Sequence, residues 1–480
     1  GNGENITGVA GSTFIGVVTA AQSGTTTIDL SLGNIIYFTQ DTNTTVAFAN
    51  TESTQVLDFI RAKDDTTDAR TITWPDSIIW DGGSAPTLID SSDANDVQIF
   101  KLITRDQGVT WYGYEPMKND PVEPNPLVFV VGSNDEGELG QNDVVARSSP
   151  IQLSGTTWNI DNLRSHGQGG ILMTKTDGTL WSWGRGNNGQ LGHNDTADRS
   201  SPTQIPGTQW SLTATQRYVS TALKTDGTLW QWGYNGGNGL GNNTEGIEFS
   251  SPIFISGAQW NNISKGGGNC RSFFATKTDG TMWSWGYNSH GQLGINDQAA
   301  RSSPIQVPGT QWNIMASSTY HSMHIKTDGT LWGMGMNVTS YGSPLGLNDT
   351  VPRSSPHQLP GNQWTDVTVN QQGQTYATKT DGTLWSWGQN DNGALGHNDE
   401  VPRSSPTQIP GTEWDSLGSN YRSASCTKTD GTLWIWGNNA VGRMGHNDTI
   451  PYSSPKQIPG TQWTKTTTGR YINIFGKYSS

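Results

Sequence analysis

TKTDGTLWSWG, residues 174–184, is the stretch on which the fold turns, because the chain writes it six times. It returns as LKTDGTLWQWG at 223–233, TKTDGTMWSWG at 276–286, IKTDGTLWGMG at 325–335, TKTDGTLWSWG at 378–388 and TKTDGTLWIWG at 427–437. The Asp-Gly pairs begin at 177, 226, 279, 328, 381 and 430, a period of 49 to 53 residues. A period of that size marks an array of equal supersecondary units. Asp-Gly between KT and TLW is the pattern of a two-residue type I′ hairpin, in which both central residues need positive φ. The tryptophans of TLWSWG stand two apart and share one strand face, with leucine on the other. A propeller blade sandwiched between neighbours buries both faces, so a nearly continuous apolar strand is expected and the Trp pairs read as packing between blades.

A second marker, a tryptophan after a Pro-Gly or Ser-Gly turn, falls at 158, 210, 260, 312, 364, 414 and 463, seven times rather than six. Pro-Gly suits a type II turn, with Pro presetting φ and Gly supplying the positive one. The chain ends explain the difference between six and seven. LVFVVG at 127–132 matches LWSWG without the hairpin before it, and RYINIFGKYSS at 470–480 matches the segment before the hairpin. Trp463 to Lys477 is 14 residues, as are Trp210 to Lys224, Trp312 to Lys326 and Trp414 to Lys428. The expected fold for 127–480 is therefore a seven-bladed β-propeller in which N- and C-terminal strands share one blade. That sharing closes the ring and removes open edges.

Composition agrees with an all-β chain: 60 glycines, 21 tryptophans and 14% charged residues favour turns and strands over helix. No run of 18 apolar residues is present, so no membrane insertion is expected. No basic, apolar leader is visible at Gly1, and the chain carries no initiator Met. Cys270 and Cys426 stand 156 residues apart, which excludes a disulfide framework and reads as two buried thiols. The net charge of −13 is uneven: residues 1–126 hold 17 acidic and 6 basic side chains, and 127–480 hold 24 and 22. Neither half offers a basic surface, so no nucleic-acid partner is expected.

The first 126 residues lack the repeat. Alternating apolar runs at 25–38, 44–50, 54–62, 70–74 and 97–104 read as short strands of a β-sandwich or jelly-roll domain over 1–115. EPMKNDPVEPNP (115–126), with four prolines, reads as a semi-rigid linker covering 116–126.

Glycine-rich segments follow every WG, among them SNDEGELG (133–140), RGNNGQLG (185–192), YNGGNGLG (234–241), YNSHGQLG (287–294), QNDNGALG (389–396) and NNAVGRMG (438–445). The seventh, MNVTSYGSPLG (336–346), is three residues longer. The pattern WG-x-N-x-x-G-Q-L-G resembles the regulator of chromosome condensation repeat, whose members form seven-bladed propellers. That scaffold serves nucleotide exchange, chromatin docking, inhibition and light sensing, so the resemblance implies the fold more than the function. The family's repeat-opening strand often carries a histidine, and only His321 matches it here. Gly170, Val219, Ser272, Gln374, Ser423 and Ile472 stand at the other six positions, which counts against a chromatin or small-GTPase role. TITWPDSIIWDGGSAPTL (71–88) and RDQGVTWYGYE (105–115) resemble a small β-domain of tailed-bacteriophage virion proteins, with Gln107 where that pattern commonly has Gly. The resemblance implies a tail- or head-fibre subunit that attaches to other virion proteins through residues 1–115 and trimerises.

Candidate chemistry is sparse. No GxSxG elbow, HExxH motif, P-loop or supported Cys-His dyad is found, so no enzyme, no cofactor and no metal are expected. Asp143, Asp195, Asp297, Asp349, Asp399 and Asp448 recur in Asn-Asp turns, where oxygen ligands suggest calcium. Arg147, Arg199, Arg301, Arg353 and Arg403 follow five of these aspartates at four residues' distance, and a repeated Asp–Arg pair is the simpler account. The most variable segment lies between the marker Trp and the hairpin Lys. It places Arg217, Tyr218, Arg271, Tyr320, His321, Tyr421, Arg422, Arg470 and Tyr471 where equivalent strands open, around one mouth of the ring. Tyr and Arg are enriched at binding hot spots. The reading is of a phage virion protein on the particle surface, presenting its propeller to a host-surface glycan or protein. The alternatives are a purely structural capsid or tail decoration without ligand, and an intracellular propeller scaffold or exchange factor.

Overall fold

The computed structural model describes residues 126–478 except 156, 165–169, 217, 237–238, 267–269 and 470–471, and before them nine strands between 15 and 117 with residues 74 and 77. The chain divides into two compact units, Gly1–Glu123 and Pro124–Ser480.

In the first unit successive strands alternate between two sheets. Ile15–Thr19, Ile35–Gln40 and Gln55–Lys63 pair parallel in one sheet, and Gly24–Asp29, Thr44–Ala49 and Ile72–Thr73 pair parallel in the other. The first pair of each sheet is offset by 20 residues (Ile15↔Ile35 and Gly24↔Thr44), and the second by 23 and 28 (Ile35↔Asp58 and Thr44↔Ile72). A jelly-roll would pair such strands antiparallel. Parallel neighbours need a crossover, and here the intervening strand of the other sheet supplies it. Val97–Thr104 and Trp111–Met117 then add antiparallel strands to the first sheet. Of the phage-like signatures at 71–88 and 105–115, residues 71, 75–76, 81–88 and 105–110, Gln107 among them, lie outside the described residues, as does the proline-rich stretch 118–125.

The second unit is a seven-bladed propeller, its blades numbered here by their marker tryptophans from Trp158 to Trp463. Blade two shows the plan: Trp210–Gln216, Val219–Lys224, Leu229–Gly233 and Phe249–Ile255 form one antiparallel sheet. First strands of neighbouring blades touch and lie innermost, second and third strands are buried, and the fourth is the half-exposed rim. Blade seven is stitched as the sequence predicts. Trp463–Thr468 and Ile472–Tyr478 join Pro126–Gly132 and Arg147–Gln152, with Leu127 opposite Lys477 and Gly132 opposite Ile472. Blade one departs from the plan: a single Trp158–Lys175 bridge and a 3-10 turn at Ile160–Asn162 replace its inner strand.

Two belts of backbone hydrogen bonds tie the blades together. At the end of the ring where third strands finish, Asn142, Asn194, Asn243, Asn296, Asn348, Asn398 and Asn447 adopt φ of 56–65°. Their N–H groups donate to Ser200, Ser250, Ser302, Ser354, Ser404, Ser453 and Ser148 of the next blade at 2.7–3.0 Å. The last of these joins blade six to blade seven across the chain ends. At the opposite end the N–H of each marker Trp from 210 to 463 donates to the hairpin glycine of the preceding blade at 2.9–3.1 Å. Blade seven has no such hairpin, its second and third strands coming from opposite chain ends.

The KTDG hairpin is a three-residue loop rather than the two-residue type I′ turn. Gly178 is at φ 77°, whereas Asp177 is not among the positive-φ residues. Gly178 N–H donates to Lys175 O at 3.0 Å and Lys175 N–H to Thr179 O at 2.9 Å, which is a type I turn followed by a left-handed glycine. The Asp177 carboxylate accepts from both the N–H and the hydroxyl of Thr179, and that bond holds Asp out of the left-handed region. The hairpin lysine then lies over the marker Trp and the first Trp of TLW, at 4.1–5.5 Å in blades one to six. Lys477 repeats this over Trp463 and Phe129 at 5.4 and 5.2 Å. So the first Trp of each pair packs within its own blade. The second is the one that joins blades: Trp183 and Trp232 are fully buried and donate to Glu138 O and Gln190 O of the preceding blade's loop.

The loop glycines are required by proximity. A Cβ on Gly393 (φ 64°) would stand 2.4 Å from Ser453 Cα of the next blade, while one on Gly246 (φ 68°) would meet nothing within 4 Å. Gly393→Ala therefore carries both left-handed strain and overpacking, about 3 kcal/mol, and Gly246→Ala the strain alone, about 1 kcal/mol. Chemical denaturation of the two variants checks the difference; equal losses would contradict it.

Candidate functional site

Most of the repeated polar chemistry is consumed by the fold. Arg147, Arg199, Arg301, Arg353 and Arg403 pair with the aspartates four residues earlier at 2.5–2.9 Å. The sixth, Asp448, is met by the Tyr452 hydroxyl instead. A buried asparagine, the Asn of the G-x-N motif, completes the turn in six of the seven blades: Asn134 Nδ2 donates to Asp143, and Asn134 Oδ1 accepts from Leu139 N–H. The same arrangement recurs at Asn288, Asn390 and Asn439. In blade one Gly186 takes the Asn position, and its N–H is capped by Asp198 at 2.7 Å. Hydrogen bonds from Arg199 and Arg403 hold Asp195 and Asp399 down to about 2. Among the described residues no three His, Cys, Asp or Glu side chains gather as a metal cluster. Cys270 and Cys426 are buried free thiols, Cys270 pushed up to about 11 by burial.

The turns between first and second strands vary from blade to blade, and the structure separates the residues predicted there into groups. Tyr218 packs edge-on to Tyr234 at 6.1 Å with Arg185 over its ring at 5.7 Å, and Arg185 pairs with Glu136 at 3.3 Å. Tyr320 meets His290 at 5.3 Å and Tyr341 of the long loop at 5.2 Å. Arg422 lies over Tyr421 at 5.6 Å and reaches Asp391 and Gln372 at 3.5 Å, and Arg443 also lies over the Tyr421 ring at 5.9 Å. Arg271 is half-buried, and its carbonyl accepts from Tyr287 N–H at 2.9 Å. Arg217, Arg470 and Tyr471 lie outside the described residues. The expected single girdle is thus a set of local clusters at the same end of the ring, each completed by the loop that follows a third strand. Those loop partners (Glu136, Arg185, Tyr234, His290, Tyr341 and Asp391) were not singled out from the sequence. The signal for them is the variable residues one to six positions after the glycine that ends each third strand.

His321 does not belong to this surface. It is 1% exposed, its Nδ1 is 2.9 Å from Ser318 Oγ and its Nε2 3.3 Å from Thr375 Oγ1. A ring on the second strand points into the blade interface rather than toward the mouth. Glu138, which occupies the Gln position of GQLG, was also missed. Only 2% exposed, it accepts from Glu136 N–H at 2.9 Å as Gln190 Oε1 accepts from Asn188, and burial pushes its carboxyl up to about 7.

At the opposite end the axis opens into a cavity of about 500 Å³ that includes Arg164, Lys265, Asp366, Asp415 and Lys465. Arg164 donates to Ile263 O at 2.8 Å and Asn262 Oδ1 at 3.0 Å, and desolvation lowers its guanidinium to about 10, leaving it charged at neutral pH. Lys265 and Asp366 pair at 2.5 Å. These residues open the inner strands and also fall in the variable segment.

Four segments, 177–215, 279–325, 381–421 and 430–475, match the regulator of chromosome condensation (RCC1) repeat. The ultraviolet-B receptor UVR8 of Arabidopsis thaliana is 28% identical over 286 residues, which is 56% of this chain and 62% of that protein. The match therefore spans less than two thirds of the relative. Human WBSCR16 superposes with a TM-score of 0.65 at 18% identity, covering 74% of this chain and 99% of that one. Prp20p from Saccharomyces cerevisiae gives 0.64 at 18%, covering 75% and 92%. These likenesses carry the propeller fold.

Two outcomes follow. Asp195→Asn costs about 0–1 kcal/mol because the pair is exposed to solvent, and EDTA leaves Tm unchanged; a large EDTA-dependent drop would point to bound calcium. Desolvation holds His321 and His324 down to about 3 from an ordinary 6.5. The unfolded chain thus takes up their protons first, so stability is full above pH 6.5 and falls as pH drops toward 3. His324 packs on Phe274 and Trp312, and neither ring nitrogen has a hydrogen-bond partner. His324→Phe is expected to keep Tm at pH 7 and to shrink the loss between pH 7 and 5. An unchanged loss would contradict the assignment.

Proposed function

From the premise that this propeller carries RCC1 repeats, we propose that it is a protein-binding module without catalytic activity, docking its partner on the end that bears Tyr218, Arg271, Tyr320, Tyr421 and Arg422. One observation carries the reading. Residues repeated in nearly every blade are spent on turns, ion pairs and stacking, whereas half-buried tyrosines and arginines that differ between blades lie at this end. Such amphipathic rings and planar cations gain most from being covered by a partner. The yeast relative is described bound to Kap60, and its binding to Gsp1p and histones has been studied, so protein partners are within this scaffold's range.

The relatives, of plant, yeast and human origin, fit the alternative of a propeller scaffold or exchange factor better than a virion fibre. The fibre reading rests on residues 1–115, and none of the relatives named supports it.

Affinity capture from an extract of the source organism tests the proposal. Tyr218→Ala with Arg422→Ala is expected to weaken capture of the partner at least about tenfold, and Lys465→Ala at the opposite end to leave it unchanged, with Tm preserved in both. The reverse pattern would move the binding surface to the axial cavity. Faster guanine-nucleotide release from a captured small GTPase would make the module an exchange factor.

A further inference from the structure

Two cavities at the rim have the same walls although they belong to different blades. One of about 400 Å³ lies between blades one and two, the other of about 320 Å³ between blades five and six. In the first, the half-buried Trp230 and the marker Trp210 form an aromatic wall, and Lys224 stands over both rings at 5.1 and 4.6 Å. In the second, Trp434, Trp414 and Lys428 repeat that wall at 5.5 and 4.6 Å. Gln204 and Gln408 add equivalent amides, and His193 and His397 equivalent imidazoles. Among the described residues no carboxylate lines either cavity.

The hydrogen bonds fix the imidazole tautomer. Ser182 Oγ donates to Leu191 O at 2.7 Å, which uses its only proton. His193 Nε2, 2.9 Å from the same oxygen, must then be the donor. Burial holds this ring below its ordinary range, hence neutral at pH 7, so Nδ1 is left as an acceptor. Ser386, Leu395 and His397 repeat the arrangement at 2.7 and 2.9 Å, with His397 held down to about 4 by desolvation. The fold does not demand a histidine here. Gln141, Asn242, Ile295 and Leu347 occupy the same loop position in other blades. At the remaining junction His446 is present, but Phe129 replaces the tryptophan and His446 Nε2 is buried without a partner.

We propose that these two rim cavities are saccharide subsites. A pyranose has one flat C–H face and a rim of hydroxyls that each donate and accept. The indole wall matches the flat face, Nδ1 accepts a hydroxyl proton, and the lysine ammonium and glutamine amide donate to hydroxyl oxygens. Lys224 and Lys428 have the hairpin carboxylates Asp226 and Asp430 nearby, but the cavity linings themselves hold a cation and no carboxylate, which favours acidic sugars such as hexuronates. The cavity volumes are at the small end of ligand sites, suited to one or two sugar rings.

The full chain applied to a glycan array of neutral and uronate-terminated oligosaccharides tests the proposal. Binding is expected, with a preference for uronates. His193→Leu with His397→Leu, folded as judged by an unchanged Tm, is expected to weaken it at least about tenfold, roughly the 1.4 kcal/mol that a lost hydrogen bond carries. Lys224→Met with Lys428→Met keeps the stacked stem and is expected to abolish the preference for uronates. An array without binding, or binding undiminished in the leucine pair, would overturn the proposal. So would binding lost only in the Tyr218→Ala, Arg422→Ala protein, which would place the sugar at the end of the ring.

Discussion

The structure of the propeller rests on one backbone contact repeated seven times: an asparagine held in left-handed conformation donates its N–H to a serine carbonyl on the rim strand of the next blade. Each loop must come within van der Waals distance of its neighbour's main chain to make that bond, and only glycine leaves room. Gly137, Gly189, Gly291 and Gly393 all face the next blade's serine closely enough that a Cβ would collide with it. The asparagine that anchors the loop, the Asp–Arg pair beside it and the indole N–H that bonds to it all serve the same end, which is to present the loop rigidly. The seventh copy of the bond, Asn447 to Ser148, joins blade six to the stitched blade and adds to the pairing of Pro126–Gly132 with Ile472–Tyr478 that closes the ring.

That economy explains why so little repeated chemistry is left for function. Lysine, which would otherwise be the obvious surface cation in every blade, lies across two aromatic rings in each of the seven. Function is left to positions the scaffold does not constrain: the turns between first and second strands, the residue after WG, the openings of the inner strands, and the loop residue that is histidine at His193 and His397. Each can change without loosening the ring.

Much of this was legible in the sequence, and the reasons are physical. Seven marker tryptophans against six hairpins could be reconciled only by sharing a blade between chain ends, and Leu127 does lie opposite Lys477. The Asp–Arg spacing of four also predicted real pairs. The hairpin type was misread because Asp-Gly alone does not reveal that Asp177 is held by Thr179. His321 was misplaced because a histidine at a strand opening looks the same whether it faces solvent or the next blade. The clusters at the end of the ring were only half visible, since their partners arrive from loops 16 to 82 residues away in sequence, the furthest being Glu136, which reaches Tyr218 through Arg185. In the first unit, runs of alternating residues predicted strands but not their direction, because alternation is the same in parallel and antiparallel sheets.

Hydrogen–deuterium exchange at the seven asparagine amides tests the closed ring most directly. If blade seven is held as firmly as the rest, Asn447 exchanges at the same slow, globally limited rate as Asn142, Asn194, Asn243, Asn296, Asn348 and Asn398. Rapid exchange at Asn447 alone, with the other six protected, would show a ring that opens at its chain ends and would contradict the account.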